Sequence, residues 1–215
     1  MPKQTFFNLP REKKNRIING AIDEFAEYTY LKSSINRIIE RADISKGSFY
    51  QYFENKKDLY KYIIECATQK KMKFLNEKLS SYGELPFFEM LRDLFIASIE
   101  FKKSYPRLSE IGDRLLSGAN EELKEEIYAD SKPKSNQFFK KLLRRGIAQG
   151  ELDSEIDIDF TAFLLTDLTV SIVDYFFEKH NPEELDIILD YLDKMIYLIK
   201  NGIAEEGKNA ISKIN

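Results

Sequence analysis

The most informative segment of this chain is Ser45-Lys46-Gly47-Ser48-Phe49-Tyr50-Gln51-Tyr52-Phe53. It predicts a helix of about two turns, from Ser45 to about Tyr52, in which Phe49 and Phe53 lie four residues apart and share one buried face. The side chains left for solvent or for a partner are Lys46, Ser48, Tyr50, Gln51 and Tyr52. Exposed tyrosines on so short a helix indicate a contact surface. In the alternative interpretation, Tyr50 and Tyr52 cover the core of their own domain.

A second short helix precedes this one. It is predicted to begin after Ser33 or Ser34 and to end near Arg41, and the linker Ala42-Asp43-Ile44 joins the two. In that linker Ala42 is small enough for the helices to approach, and Asp43 can adopt a left-handed conformation, although Gly would do so at lower cost. Two short helices and a tight turn have the proportions of a helix-turn-helix, whose second helix lies in the DNA major groove.

Longer helices flank the motif on both sides. One begins near Pro10, and the other begins after Asn55 and runs to about Leu79. Lys56 and Lys57 fall in the first turn of the latter, where the helix dipole disfavours a cation by about 0.3–1 kcal/mol. A phosphate bound at the same helix end would reverse that sign, because free N–H groups and ammonium groups both attract it. Lysines that simply point into water are the alternative.

On these residues, the segment from about Ile17 to Tyr62 resembles the DNA-binding domain of TetR-family transcriptional regulators. The block Ser45–Leu59 is the specific part, because it fixes the turn, the recognition helix and the start of the next helix together. Two positions depart from the family pattern: Asp43 replaces the common Gly of the turn, and Tyr52 stands where His is common. The matching residues are Ile18, Ala21, Phe25, Ser34, Ile35, Ile38, Ala42, Ile44, Ser45, Lys46, Gly47, Ser48, Phe49, Tyr50, Tyr52, Phe53, Lys56, Leu59 and Tyr60.

The resemblance implies an all-α fold. An N-terminal three-helix helix-turn-helix domain, residues 1–54, would precede a larger helical-bundle domain for effector binding and dimerisation, residues 55–215, with 55–79 as the connecting helix. The residues implied to contact DNA are Ser34, Lys46, Gly47, Ser48, Tyr50, Gln51, Tyr52 and Lys56. Charge alone adds Arg11 and Lys14 as candidates for flanking phosphates.

The rest of the chain predicts further helices, and Pro133 must break or kink one of them because it lacks an N–H group. The predicted spans are about Pro86–Lys103, Pro106–Leu116, Asn120–Gln149 with Gly150 as its stop, Asp157–Lys179 and Glu183–Glu205. The last two helices are apolar around most of their circumference, and such helices are buried on all sides. We therefore expect a homodimer through helices about 157–179 and 183–205, which suits a palindromic DNA operator. A thick core within one chain is the alternative.

The middle helices are rich in aromatic residues. An aromatic stripe is usually core, but in the resembled family it also lines a cavity for a small molecule, so we expect a lipophilic effector. The predicted lining residues are Phe95, Phe101, Tyr128, Phe138, Phe163 and Asp167. The buried carboxylate of Asp167 needs a partner, which would be Arg92 or Arg114, or else a cationic ligand.

The amino-acid composition argues against several other classes of protein. The 215 residues are 43% hydrophobic, which excludes a disordered chain. A single cysteine, Cys66, and a single histidine, His180, argue against a disulfide framework, a zinc or histidine metal centre, and a helical enzyme, so we expect no cofactor and no metal. With no signal peptide and no apolar run of membrane-spanning length, we expect a cytoplasmic protein without a membrane partner.

Charge is unevenly distributed along the sequence. Residues 1–78 carry 16 Lys and Arg against 10 Asp and Glu, whereas residues 79–215 carry 17 against 26. The excess of positive charge in residues 1–78 favours binding to double-stranded DNA. The sequence therefore predicts a DNA-binding transcriptional regulator, a repressor released from its operator by a small molecule. The alternative is an architectural or nucleoid-associated DNA-binding protein of the same fold without an effector.

Overall fold

In the computed structural model of the chain, the residues described are 1–81, 85–116, 120–180 and 184–201. Within these ranges there is no strand and the helices number ten, so the predicted all-α class is confirmed. In chain order they are α1 (Gln4–Phe7), α2 (Arg11–Glu27), α3 (Ile35–Arg41), α4 (Lys46–Tyr52), α5 (Lys56–Ser81), α6 (Phe87–Ser104), α7 (Pro106–Leu116), α8 (Glu121–Ala148), α9 (Ile158–Lys179) and α10 (Leu185–Asn201).

The helices are grouped in two compact units. The first contains Met1–Ser81 and Ser98–Ser135, and the second contains Tyr82–Ala97 and Asn136–Asn215, as far as the latter is described. The boundaries fall inside α6 and α8, so each of these helices contributes residues to both units. The functional division at residues 54 and 55 stays a prediction.

The core of the first unit joins the helix-turn-helix segment to later parts of the chain. Ile17 and Phe25 of α2, Ile38 of α3 and Phe49 of α4 are fully buried in it. Helix α7 and the first half of α8 complete the same core with Ile111, Leu123 and Ile127. The helix-turn-helix segment therefore shares one core with residues more than 50 positions away in sequence.

The second unit has its own apolar core. Its buried apolar side chains come from four helices and are Phe87, Met90, Leu91, Leu94, Ala97, Phe139, Leu142, Leu143, Ala162, Leu165, Phe176, Leu192 and Met195. Gly150 adopts φ +73°, and the backbone N–H of Glu151 donates to the carbonyl of Gly146 at 3.0 Å. This is the left-handed helix stop that the sequence predicts for α8.

Three features differ from the predictions or lie beyond them. Helix α1 was not predicted, because a single turn carries no periodicity. Helix α8 runs without a break through Pro133, where a break or kink was expected. Both Pro133 and Ala129, whose carbonyl loses its donor, are exposed, so water can bond that carbonyl. The predicted boundaries at Glu183 and Glu205 lie outside the described residues.

Alanine substitutions at two glycines are expected to change the stability of the protein in opposite directions. A Cβ at Gly20 would lie 3.3 Å from the backbone N of Ala42 and the carbonyl O of Ile38, where α2 crosses α3. Gly20→Ala should therefore destabilise the protein by about 1–3 kcal/mol, because backbone atoms cannot step aside cheaply. Gly112→Ala, within α7 and with open space around the new Cβ, should stabilise it by about 0.5–1 kcal/mol. Chemical denaturation of both variants checks the pair, and equal effects would contradict the close approach.

Candidate nucleic-acid interface

The turn between α3 and α4 has the geometry that the sequence predicts. Asp43 adopts φ +51°, in the left-handed region. The N–H of Asp43 donates to the carbonyl of Glu40 at 3.2 Å, and the N–H of Ile44 donates to that of Ile39 at 3.0 Å. These two bonds satisfy carbonyls that the end of a helix otherwise leaves unpaired, and they turn the chain sharply into α4.

Both short helices are capped by serine hydroxyls. The Oγ of Ser34 accepts from the backbone N–H of Asn36 at 3.2 Å, and the Oγ of Ser45 accepts from that of Ser48 at 3.1 Å. An N-cap of this kind stabilises a helix by about 1 kcal/mol. Such caps matter for α3 and α4 because a helix of seven residues is not stable alone.

Helix α4 presents one polar face to solvent. Lys46, Gly47, Tyr50 and Gln51 are exposed, and their spacing places them along a single side of the helix. The ring of Tyr50, which is 43% exposed, meets the buried ring of Phe49 edge-on at 5.3 Å between centroids. Ser48 is half-buried. Five of the eight predicted DNA contacts therefore lie together on this helix.

Tyr52 lies in the core. Only 6% of its surface is exposed, and its ring lies 6.4 Å from the ring of Phe6 between centroids. The ammonium of Lys13 lies 5.6 Å from the centre of the same ring. This burial favours the alternative in which Tyr52 covers its own domain. We therefore leave it out of the proposed contact set below.

The side chain of Lys56 is hydrogen-bonded to the loop between α2 and α3. Its half-buried ammonium donates to the carbonyls of Tyr30 at 2.6 Å and Ser33 at 2.9 Å, and it lies 4.5 Å from the centre of the Tyr30 ring. Burial lowers the pKa of this ammonium. The bond to Ser33 brings Lys56 beside the cap residue Ser34. Two N–H donors of the ammonium thus have protein partners, and a phosphate would be bonded by the third.

The neighbouring Lys57 is directed elsewhere. It forms an ion pair with Glu126 of α8, and the hydrogen bond to that carboxylate raises the pKa of Lys57. Lys61 pairs with the same carboxylate at 3.2 Å. Of the two flanking candidates, Arg11 is exposed, and Lys14 donates to the carbonyl of Phe7 at 3.1 Å.

Sequence reasoning missed a buried carboxylate that joins α2 to α3. Glu24 is fully buried; its Oε1 accepts from the backbone N–H of Ser34 at 2.8 Å and from Nε of Arg37 at 2.9 Å. Arg37 also donates to the carbonyl of Lys32 at 2.8 Å and lies 4.1 Å from the centre of the Tyr28 ring. The position of Glu24 in the sequence could have indicated its burial, because it falls on the apolar stripe of α2.

The variant Lys56→Ala distinguishes two possible roles of this lysine, which are hydrogen bonding to the α2–α3 loop and binding of a DNA phosphate. If Lys56 contacts a phosphate, the variant should weaken binding to every duplex and reduce the slope of log affinity against log salt by about 1. Lys73→Ala removes the same charge from an exposed position on α5 and is the matched control. A lower melting temperature with an unchanged slope would show that Lys56 only fastens the loop.

The predicted effector-pocket residues are divided between the two units. Phe101 and Tyr128 belong to the first, and Phe95, Phe138, Phe163 and Asp167 belong to the second. The three surface cavities described, of about 630, 420 and 60 Å³, lie in the first unit and are lined by other residues. The pocket therefore stays a prediction.

The two arginines considered as partners of Asp167 bond other carboxylates. The Nε of Arg92 donates to Asp193 at 2.8 Å, and the Nε of Arg114 lies 2.9 Å from a carboxylate oxygen of Glu110. Asp167 itself is half-buried in α9.

Two other findings concern the described helices. None of them is both long enough and apolar enough to cross a membrane. In the same residues, no three His, Cys, Asp or Glu side chains are grouped so that they would hold a metal ion.

Capped short helices, a left-handed turn and an exposed polar face define a helix-turn-helix protein of the DNA-binding class. The family model for bacterial regulatory proteins of the tetR family matches residues 17–63, and the model for the tetracyclin repressor-like C-terminal domain matches residues 85–211. The chain belongs to the TetR family of bacterial transcriptional regulators.

Three relatives illustrate the match. A TetR-family regulator from Chloroflexus aurantiacus has 35% identity and a TM-score of 0.56, with 94% of this chain and 98% of that chain covered. The IcaR negative regulator of the icaADBC biofilm operon from Staphylococcus aureus is 27% identical over 60% of this chain and 77% of its own length. Bacillus subtilis FadR in complex with stearoyl-CoA is 20% identical, with a TM-score of 0.64 and coverage of 88% and 99%.

Proposed function

We propose that this regulator is a repressor that binds a palindromic operator as a homodimer and is released by a lipophilic small molecule. The observation that carries the proposal is the exposed face of α4, with Lys46, Gly47, Tyr50 and Gln51 on one side of a capped two-turn helix. Repression is further supported by the relative IcaR, which is a negative transcriptional regulator.

The residues of this face have the chemistry of base readout and phosphate contact. A lysine can donate to O6 and N7 of guanine, and a glutamine can bond N6 and N7 of adenine, so Lys46 and Gln51 are the candidates for base edges, with Ser48 as a third. Gly47, which has no side chain, allows a close approach of the backbone to DNA. Tyr50, Ser34 and Lys56 would contact phosphates and fix the register.

An exposed apolar face on α9 supports the homodimer. Phe160 is 57% exposed, and Leu164 and Leu168 are each 39% exposed at four-residue spacing. Further along α9, Tyr175 is also exposed. Other residues of α9, including Leu165, are buried within the chain. The helix therefore has a second apolar side, and a contiguous exposed apolar surface of this kind is typical of an interaction site.

Helix α10 also exposes apolar side chains, with Tyr197 65% exposed and Leu198 50% exposed. A second copy of the chain is the partner that the proposal requires, because a twofold dimer presents two copies of α4 to two half-sites. In helix-turn-helix dimers these half-sites lie about 34–36 Å apart along the DNA.

A lipophilic effector is supported by two observations. The predicted pocket residues are mostly aromatic, and one solved relative, FadR, is in complex with stearoyl-CoA. An effector would act by binding more tightly to the conformation that does not fit the operator, because only a difference in affinity between two states can shift their populations.

Operator binding and release are tested with the DNA upstream of the protein's own gene. Fluorescence anisotropy of the full chain should show salt-sensitive binding, tighter than to a scrambled duplex of equal length, and addition of stearoyl-CoA as a probe should weaken it. Asp167→Asn should alter the response to the probe if Asp167 contacts the ligand. Binding without preference for any duplex, and without response to the probe, would favour an architectural protein and contradict the proposal.

A further inference from the structure

The C-terminal end of α4 has a single cap bond of its own, from the backbone N–H of Phe53 to the carbonyl of Phe49. The last four carbonyls of a helix have no partner within it, and they are commonly satisfied by a left-handed residue or approached by a nearby cation. Here Phe53, which follows α4, is extended with φ −131° and ψ 145°. The last turn of α4, all of which is described, contains no basic residue. Partners for the carbonyls of Tyr50, Gln51 and Tyr52 must therefore come from elsewhere in the chain.

The segment Lys3–Thr5 supplies those partners. Nζ of Lys3 donates to the carbonyl of Tyr50 at 2.9 Å, and the backbone N–H of Lys3 donates to that of Tyr52 at 2.8 Å. The hydroxyl of Thr5 donates to the carbonyl of Gln51. The remaining carbonyl, that of Phe49, accepts from the N–H of Phe53 at 2.9 Å. All four terminal carbonyls of α4 are satisfied as a result.

The segment is itself anchored by an aromatic cluster. Phe6 is completely buried, and its ring centroid lies 4.9 Å from that of Phe53 and 5.4 Å from that of Tyr62. The N–H of Phe6 donates to the carbonyl of Lys3 at 2.9 Å, which closes the turn of α1. The donors on Lys3 and Thr5 are therefore held in place relative to α4.

We propose that Lys3–Phe6 is a positioning element for the helix-turn-helix, with Thr5 as a positioning residue for α4; this inference rests on the proposed function. The carbonyls that the segment bonds belong to Tyr50, Gln51 and Tyr52, and the side chains of the first two are exposed on the face that the proposed function assigns to DNA. Fixing these peptide groups fixes the direction in which the two side chains leave the helix. The segment therefore contributes to discrimination between sequences, which depends on base contacts, rather than to general affinity, which depends on phosphates.

Thr5→Val tests this role because it keeps the shape of an exposed side chain and removes the donated hydrogen bond. The control is Thr5→Ser, which retains the hydroxyl. For the full chain, affinity is measured for the DNA upstream of its own gene and for a scrambled duplex, at several salt concentrations. We expect Thr5→Val to lower the ratio of the two affinities about fivefold, as loss of one hydrogen bond of typical strength would. Affinity for the scrambled duplex and its salt slope should stay unchanged, and Thr5→Ser should match the wild type.

The outcomes separate this inference from the proposed function. A wild-type protein that binds both duplexes equally contradicts the proposed function, and the positioning role with it. A wild type that discriminates, with Thr5→Val discriminating equally well, overturns the positioning role alone. Equal weakening on both duplexes would also overturn it, because it would show that the segment only stabilises the domain.

Discussion

Glu24→Ala is expected to lower the free energy of unfolding by about 1–3 kcal/mol, because it removes a fully buried acceptor and leaves the backbone N–H of Ser34 and the partly exposed guanidinium of Arg37 without it. The carboxylate is fully buried and bonds both the guanidinium of Arg37 and the backbone N–H of Ser34. Its loss removes the tie between α2 and the start of α3, and leaves a cavity. Since 1 kcal/mol shifts the melting temperature by about 2–4 °C in a protein of 150–250 residues, the fall should be readily measured by calorimetry.

Two further variants make this test specific. Glu24→Gln keeps the shape and an acceptor for the N–H of Ser34, so it should be destabilised less than the alanine variant. Glu27→Ala removes an exposed partner of Arg41 from the same helix and should leave the melting temperature close to that of the wild type. If Glu24→Ala and Glu27→Ala had the same melting temperature, the buried carboxylate of Glu24 would contribute nothing to the position of α3.

The double variant Leu164→Glu with Leu168→Glu is expected to convert the dimer to a monomer. It places two carboxylates in the centre of the proposed interface, where burial of an unpaired charge is strongly unfavourable. The dimer dissociation constant should rise by more than about 100-fold, since loss of about 2.7 kcal/mol already produces that factor. Analytical ultracentrifugation measures the change directly, and operator affinity should fall with it because the two half-sites are no longer bound together.

The matched control adds the same charges elsewhere in the second unit. Gln137→Glu with Ser154→Glu changes two exposed polar positions, and it should leave the sedimentation of the dimer unchanged. A wild type that sediments as a monomer, or a double leucine variant that remains a dimer, would contradict the assignment of this face.

Features fixed by local sequence were predicted well. The start of α3 at the cap residue Ser34, the left-handed turn at Asp43 and the helix stop at Gly150 each depend on a few neighbouring residues. The bounds of α7, Pro106–Leu116, were predicted to the residue for the same reason. Membership of the TetR family followed from the block Ser45–Leu59, because there the spacing of local signals is itself specific.

Features that depend on distant residues were not predicted. Tyr52 is buried near Phe6, which lies more than 40 residues earlier, and the bonds of Lys56 reach a loop more than 20 residues earlier. Similarly, nothing local to Glu24 indicates that Arg37 will meet it. Of the break or kink expected at Pro133, the break is wrong, since α8 is continuous there and has buried residues on both sides, such as Ile127 and Phe139. The kink stays a prediction.

The central claim is that the exposed face of α4 reads DNA sequence. It is tested most directly by comparing the wild type with Lys46→Ala and Gln51→Ala, the two candidates for base contact, using the DNA upstream of the protein's own gene and a scrambled duplex across a range of salt. We predict that the wild type prefers its own DNA by about 10³-fold or more, with log affinity falling linearly with log salt. Both variants should lose most of that preference while keeping salt-sensitive binding. Salt-insensitive wild-type binding, or variants that discriminate as well as the wild type, would contradict the claim.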